Sequence, residues 1–375
     1  MRIAIVGCGY VADFYMGTLC NHPELIVVGF MDRIRSRAEA VCGFWKVGRV
    51  YDTLDELLAD TGVEMVVNLT NPASHFEVTK ASLLAGKHVY SEKPLAMVFR
   101  DAKELVELAE ARGLRLSGAP CGILSETAQT VKRALEQREV GKVFLAYAEI
   151  DDGLMHKDRY RKWKNPSGGY WPYKDEFEVG CTLEHAGYWI AYLIWFFGPV
   201  TRLVAYSSVR VEDKQTDVPL EIMSPDYSVA NLEFASGMVA RLTCSIVAPH
   251  DRSLTIVGED GTLIVEECWD YHAPVYINRP TKFRRWGLKY PLFKLLMPGV
   301  KPARLPLVPG PKIEMSQGVQ ASMDFSRGVA ELAAAVRENR ESKVSARFTL
   351  HVNEVAIAIQ SPNFTRGPYV PVTSF

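Results

Sequence analysis

The chain has 375 residues, 48% of them hydrophobic and 10% aromatic, which is too apolar for a disordered polypeptide and enough to fill a sizeable core. At roughly 150 residues per domain the length suggests two domains. Lys and Arg number 43 against 44 Asp and Glu, a net charge of −1, so no overall field draws the chain to nucleic acid, and partners must be met at local sites.

The cysteines (Cys8, Cys20, Cys42, Cys121, Cys181, Cys244, Cys268) are odd in number and scattered, with no C-x-x-C pair. That pattern argues against a disulfide framework or a zinc knuckle and for a reducing, cytoplasmic compartment, and no metal site is expected. The longest uncharged apolar run, Ala186 to Phe197, falls short of the roughly 20 residues that cross a bilayer and reads as a buried helix. The opening MRIAIVGCGY is too short and glycine-broken for an export signal.

The first 120 residues alternate strand-like and helix-like segments. Apolar runs at Ile3–Val6, Leu25–Phe30, Val63–Leu69 and His88–Tyr90, with a last strand near Leu114–Ser117, predict a doubly wound parallel sheet of the α/β class. Between them, Thr53 and Glu56 have capping-box spacing, and Val98, Phe99, Ala102, Leu105, Val106 and Ala109 keep the period of an amphipathic helix.

Beyond a helix near Glu126–Arg138, extended segments recur at Val143–Ile150, Leu203–Val211, Tyr227–Phe234, Met238–Val247, Leu254–Val257 and Thr262–Val265. Turn signals at Ala235-Ser236-Gly237 and Glu259-Asp260-Gly261 make this a largely antiparallel sheet. Helices are expected over Ala186–Phe197, stopped by Gly198-Pro199, and over Phe325–Asn339 and Thr349–Gln360. The division expected is a dinucleotide-binding domain over 1–121 and a substrate-binding and oligomerisation domain over 122–375, whose last helices can pack back on the first. Lys282 to Arg304 carries seven basic residues and no acidic one, interleaved with aromatics, and reads as a solvated arm or as a contact with an anionic membrane surface, a phosphorylated substrate or a partner subunit.

Gly7-Cys8-Gly9-Tyr10-Val11-Ala12 follows the first strand and opens a helix, the context a G-x-G-x-x-A dinucleotide fingerprint requires. Gly7 permits the tight turn, Gly9 lets a diphosphate approach the backbone beside Tyr10 and Val11, and Ala12 allows close packing of helix on strand. The next strand ends in Asp32, spaced to accept hydrogen bonds from the adenosine ribose. Its charge favours NAD over NADP, with Arg33 beside it able to stack on adenine or to offset part of that repulsion.

Three further segments, GKHVYSEKPLA at Gly86 to Ala96, NLTNPASH at Asn68 to His75 and GCTLEHAGYWIAYLIWFFGPV at Gly180 to Val200, resemble the Gfo/Idh/MocA oxidoreductases, and FSRGVAELAAAVRENRES at Phe325 to Ser342 extends the resemblance over nearly the whole chain. It implies an N-terminal Rossmann domain, a C-terminal α/β domain whose open sheet serves homodimer or homotetramer assembly, and a sugar-like substrate between them. By matching position Lys93 is the active-site lysine, with Glu92 shaping its turn, and Thr70, Asn71, Pro72 and His75 line the nicotinamide half of the cofactor.

Where many relatives carry an acid and, four residues later, a histidine, this chain has Glu184 and Tyr188. On a helix these share a face, while His185 lies one residue off it. A nearby ammonium lowers a phenol's pKa, so Lys93 and Tyr188 form a coherent acid–base pair for hydride transfer from an alcohol. The loop at Trp163 to Glu178 offers Trp171, Tyr173 and Lys174, with His185, as substrate contacts. The expected activity is NAD-dependent oxidation or reduction at a secondary alcohol or ketone of a sugar, cyclitol or nucleotide sugar. Alternatives are a glycosidase working by transient oxidation and a non-catalytic NAD-binding regulator.

Overall fold

The computed structural model describes residues 1–279, 302–361 and 367–375. Most of the basic segment from Lys282 lies outside them; of its charged residues only Arg304 falls within. The first sheet is built from β1 (Arg2–Val6), β2 (Ile26–Met31), β3 (Arg49–Val50), β4 (Met65–Asn68), β5 (His88–Ser91) and β6 (Leu116–Gly118). Its order is β3-β2-β1-β4-β5-β6 with every pair parallel, and the order reverses between β1 and β4. In such a sheet ligands bind at that reversal, beyond the carboxyl ends of the strands.

The helices of this half are α1 (Ala12–Thr18), α2 (Arg35–Trp45), α3 (Leu54–Ala59), α4 (His75–Leu84) and α5 (Phe99–Ala111). Thr53 caps α3 by accepting from the Glu56 amide at 3.1 Å, while the Glu56 carboxylate reaches back to the Asp52 amide, one residue earlier than a standard capping box. The core strands are apolar on both faces, as β1 illustrates with Ile3, Ala4, Ile5 and Val6 all buried.

The second half follows α6 (Glu126–Glu136), capped by Ser125, with a nine-stranded sheet. Its strands are β7 (Val143–Leu154), β8 (Val200–Ser208), β9 (Tyr227–Phe234), β10 (Val239–Ser245), β11 (Val247–Asp251), β12 (Leu254–Gly258), β13 (Gly261–Val265), β14 (Val275–Asn278) and β15 (Ala303–Leu305). All pairings are antiparallel except β10 with β7. Helices α7 (Tyr173–Val179) and α8 (Gly187–Phe197) cover one face, where alternate residues such as Ala146, Ala148 and Ile150 are buried.

The expected strand over Leu203–Val211 stops at Ser208, because the Arg210 and Val211 amides turn to the Asp226 carboxylate. The run Met238–Val247 divides at Ile246, whose amide bonds the Asp226 carbonyl and whose carbonyl accepts from Met155, so β11 leaves β10 for β7. The last helices, α9 (Arg327–Arg337) and α10 (Ala346–Gln360), return to the first sheet. Val329, Ala330, Leu332 and Ala333 of α9 share a core with Ile3, Ile5, Val67 and Tyr90, and Leu350 of α10 packs against Leu105 and Leu116. All seven cysteines are free thiols. No helix among the described residues is long and apolar enough to cross a membrane.

Candidate active site

A cleft of about 1130 Å³ runs from the carboxyl ends of β1, β2 and β4 to the second domain. At its first end Gly7 has a φ of +96°, and a Cβ there would lie 2.4 Å from the Leu69 carbonyl, so only glycine closes the turn against β4. A Cβ on Gly9 would meet nothing within 4 Å, leaving the open approach that a diphosphate requires. Ala12 is fully buried and serves packing rather than the cleft. Asp32 accepts from the Cys8 amide and the Ile34 amide, both at 2.8 Å, which fixes its carboxylate at the cleft and leaves lone pairs for ribose hydroxyls. Arg33, Ser36 and Arg37 line the same end. These features fit a dinucleotide.

Thr70, Asn71 and Pro72 form the wall beyond β4. Asn68 shapes that turn by accepting from the Thr70 hydroxyl at 2.7 Å and donating to the His75 carbonyl at 3.1 Å. His75 reaches the wall, but its ring nitrogens lie 2.6 Å and 2.9 Å from the carbonyls of Pro94 and Thr70, and burial holds its pKa below the usual range. These contacts brace the turn that carries Lys93, and the ring also lines the cleft beside Thr70. Glu92 braces the same turn from the other side, accepting from the Tyr15 hydroxyl at 2.7 Å and the Lys93 amide at 3.0 Å.

Lys93 projects across the cleft and its ammonium pairs with Glu184. Burial alone would depress the lysine, but Glu184, Tyr188, Glu176 and Glu92 together outweigh it and keep the ammonium charged. Glu184 is pushed up to about 7, by burial first and then by the neighbouring Glu176, which exceed the pull of Lys93.

Glu184 sits in a π-turn over Thr182–Ala186 that precedes α8. The wider turn reduces the angle between successive side chains, and it brings Glu184, His185 and Tyr188 all to the cleft. The expectation that His185 lies off this face is thereby corrected. Its buried ring is clamped between Asp152 and Glu176, 2.5 Å from the latter, in ion pairs whose angles fall short of hydrogen-bond geometry. Burial opposes charging of the ring, but the two carboxylates raise it to about 10.

Tyr188 also departs from expectation. Burial outweighs the Lys93 ammonium and pushes the phenol well above its usual value, so it stands in the cleft as a hydrogen-bond donor rather than a ready base. Trp171 lines the cleft, packed edge-on against Tyr160 and Phe177 and tilted against Trp163. Tyr173 and Lys174 do not. Helix α7 directs Glu176 inward and turns these two away, where the Tyr173 hydroxyl donates to Asp217 and the Lys174 ammonium binds Glu221 at 2.8 Å.

Several cleft residues escape sequence reasoning. Asp152 near the end of β7, Arg252 in the turn before β12, and Glu267 and Trp269 after β13 meet there. The Arg252 guanidinium lies 3.4 Å above the Trp269 ring, 2.5 Å from Asp152 and 3.3 Å from Glu267. A compact turn from Trp163 to Trp171 straps the glycine-rich loop from the second domain. Asn165 donates to the Gly9 and Tyr10 carbonyls at 3.2 Å and 3.0 Å, and the Ser167 amide to Asp13 at 2.7 Å. Among the described residues no group of three or more His, Cys, Asp or Glu is arranged to hold a metal ion.

A doubly wound sheet with this glycine turn, its acid-tipped second strand and a lysine facing a second domain defines a nicotinamide-dependent oxidoreductase. Residues 1–119 match the model of the oxidoreductase family's NAD-binding Rossmann fold, and residues 128–264 that of the GFO/IDH/MocA C-terminal domain. The chain belongs to the Gfo/Idh/MocA family and is a dehydrogenase or reductase.

It is 26% identical, over 71% of each chain, to an uncharacterized oxidoreductase of Synechocystis. It is 24% identical to the trans-1,2-dihydrobenzene-1,2-diol dehydrogenase of Mus musculus, over 72% of this chain and 75% of that one. The WlbA dehydrogenase of Bordetella pertussis, solved with NADH and UDP-GlcNAcA, shares the fold with a TM-score of 0.71 and 19% identity, over 99% of this chain and 97% of that one.

Proposed function

We propose that the protein catalyses hydride transfer between NAD and the secondary alcohol or ketone of a sugar or cyclitol. The backbone at Gly7, Gly9, Tyr10 and Val11 holds the diphosphate, Asp32 the adenosine ribose with Arg33 against the base, and Thr70, Asn71 and Pro72 the nicotinamide half. Asp32 repels a 2′-phosphate and so favours NAD over NADP. When bound, the cofactor supplies the hydride acceptor or donor.

The observation that carries this reading is the Lys93–Glu184 pair across the cleft. Lys93 binds the reacting oxygen and stabilises negative charge developing on it. Glu184, with a pKa near the working pH, takes the hydroxyl proton during oxidation and returns it during reduction. Tyr188 donates a hydrogen bond to the same oxygen, and Trp171 offers an apolar face to the substrate ring.

Lys93→Met tests the reading. Cofactor reduction should fall by about 10²–10³, the scale for losing one charge-stabilising donor, with NAD affinity nearly unchanged. Unaffected turnover would remove Lys93 from the mechanism.

The strap at Asn165 favours a second reading, in which the cofactor is retained and a substrate is oxidised transiently during glycoside elimination. Turnover without accumulation of reduced cofactor would single it out. Copies of the chain associate in this proposal through the outer face of the nine-stranded sheet, where Tyr147, Val204 and Tyr206 are exposed; sedimentation of a Tyr206→Glu variant tests that face.

A further inference from the structure

The part of the cleft that the second domain shares with Lys93 has an uneven charge. Six carboxyl residues line it (Asp152, Asp158, Glu176, Glu184, Glu267 and Asp270), against the three cations Lys93, His185 and Arg252. Each of those cations is already held. Lys93 pairs with Glu184, His185 with Asp152 and Glu176, and Arg252 with Asp152 and Glu267.

The remaining two acids have no ion pair among the described residues. Asp158 accepts from the Arg159 amide at 2.6 Å and Asp270 from the His272 amide at 2.8 Å. Even with Glu184 half-protonated near pH 7, one positive charge from an oxidised nicotinamide ring would not cancel the excess of carboxylates.

Aromatic rings line the same chamber: Trp163, Tyr170, Trp171, Tyr188 and Trp269. Their faces carry negative potential and attract cations. Two such faces are already used in this way, by Arg252 on Trp269 and by Lys164 on Tyr170. Walls of low dielectric concentrate the field of the surrounding charges, so an anion entering here would lose hydration while the cations lining the chamber, among the described residues, are already paired with carboxylates. A protonated amine meets both unpaired carboxylates and aromatic faces.

We infer that this chamber selects polyols carrying a protonated amine, an amino sugar or aminocyclitol, and rejects phosphorylated, carboxylated and nucleotide-linked sugars. The inference rests on the proposed polyol substrate and narrows it. Rejection works by design against the wrong ligand, through unpaired like charge, rather than through a special contact with the right one.

The test uses the full chain loaded with NADH and matched sets in the gluco, galacto and manno series, each comprising the neutral sugar, its 2-amino derivative and its uronate. Binding is read from the fluorescence of the bound nicotinamide, and turnover from NAD reduction in a parallel assay. The 2-amino member should bind at least tenfold tighter than the uronate, with the neutral sugar between. A uronate that binds as tightly as the amine overturns the inference, and so does failure of all three series to bind.

The two proposals separate in this experiment. The predicted binding order without NAD reduction leaves the inference standing and removes hydride transfer to polyols, whereas efficient oxidation of a uronate does the reverse. Glu267→Gln, which releases one partner of Arg252, should narrow the amine-to-uronate ratio at least threefold, with Asp270→Asn as the independent variant should the first fail to fold. An unchanged ratio in a folded variant overturns the inference.

Discussion

Lys93, at the end of a Rossmann strand, and Glu184, in the π-turn of the second domain, form an ion pair across the cleft although 91 residues separate them in sequence. The pair joins the two halves of the molecule at the point where chemistry is proposed. It also divides labour there: the ammonium stays charged while burial and Glu176 leave the carboxyl able to change state near neutrality.

A pH profile follows from that division. Oxidation needs Glu184 ionised, so its rate should rise about tenfold per pH unit below about 7 and level off above it, with reduction showing the opposite trend. Glu184→Gln should abolish this limb and lower kcat by about 10²–10⁴. Tyr188→Phe should keep the limb. A limb that persists in Glu184→Gln and vanishes in Tyr188→Phe would return the proton to the phenol.

Asp32→Ala should relax the preference for NAD over NADP by at least tenfold, since Arg33 and Arg37 at the same end of the cleft are then free to meet a 2′-phosphate. Steady-state kinetics with both cofactors measure the ratio. No change would remove Asp32 as the discriminator.

Asn165→Ala loses two hydrogen bonds to the carbonyls of the glycine-rich loop. At roughly 1 kcal/mol each, release of NADH should quicken by about tenfold or more. Stopped-flow displacement measures it directly, and release at the native rate would show that the strap does not control exchange.

His185 makes stability depend on pH. Its folded pKa of about 10 exceeds the ordinary 6.5, so its contribution is complete below about 6.5 and is lost as pH rises toward 10. Glu184 has finished titrating by about pH 8, and above that the buried thiols of Cys8, Cys121, Cys244 and Cys268, pushed up by burial, add a decline of the same sign to that of His185. The share of His185 amounts to at most ~1.4 kcal/mol per pH unit. Denaturant melts between pH 8 and 10 should show a decline that His185→Gln makes shallower by up to that share, and an unchanged slope would remove His185 from it.

Much of this was legible from residue order. Strong apolar strands and the glycine turn identify the first sheet, and the matching of Lys93, Glu184 and Tyr188 to a family pattern brings the central residues together. What was not legible depends on register and on packing over long separations. Asp151-Asp152-Gly153 has the composition of a turn, yet β7 runs through it and delivers Asp152 to the cleft. Arg252 lies in a turn whose position is set by β12 pairing with β7. No residue pattern announced the π-turn, so the inward path of His185 was hidden. Tyr173 and Lys174 were judged by local composition, whereas the helical twist of α7 decides which side chains face inward. The phenol of Tyr188 was read from one neighbour's charge, and burial proved the larger influence.

The return of α9 to the first sheet bears on how the protein is made. Val329, Leu332 and Ala333 complete a core begun by Ile3 and Ile5 more than 300 positions earlier. A ribosome therefore exposes the nucleotide-binding sheet long before the helix that seals one side of it has emerged. An excised 1–121 fragment would present that same bare apolar side to solvent, and self-association would be its expected fate.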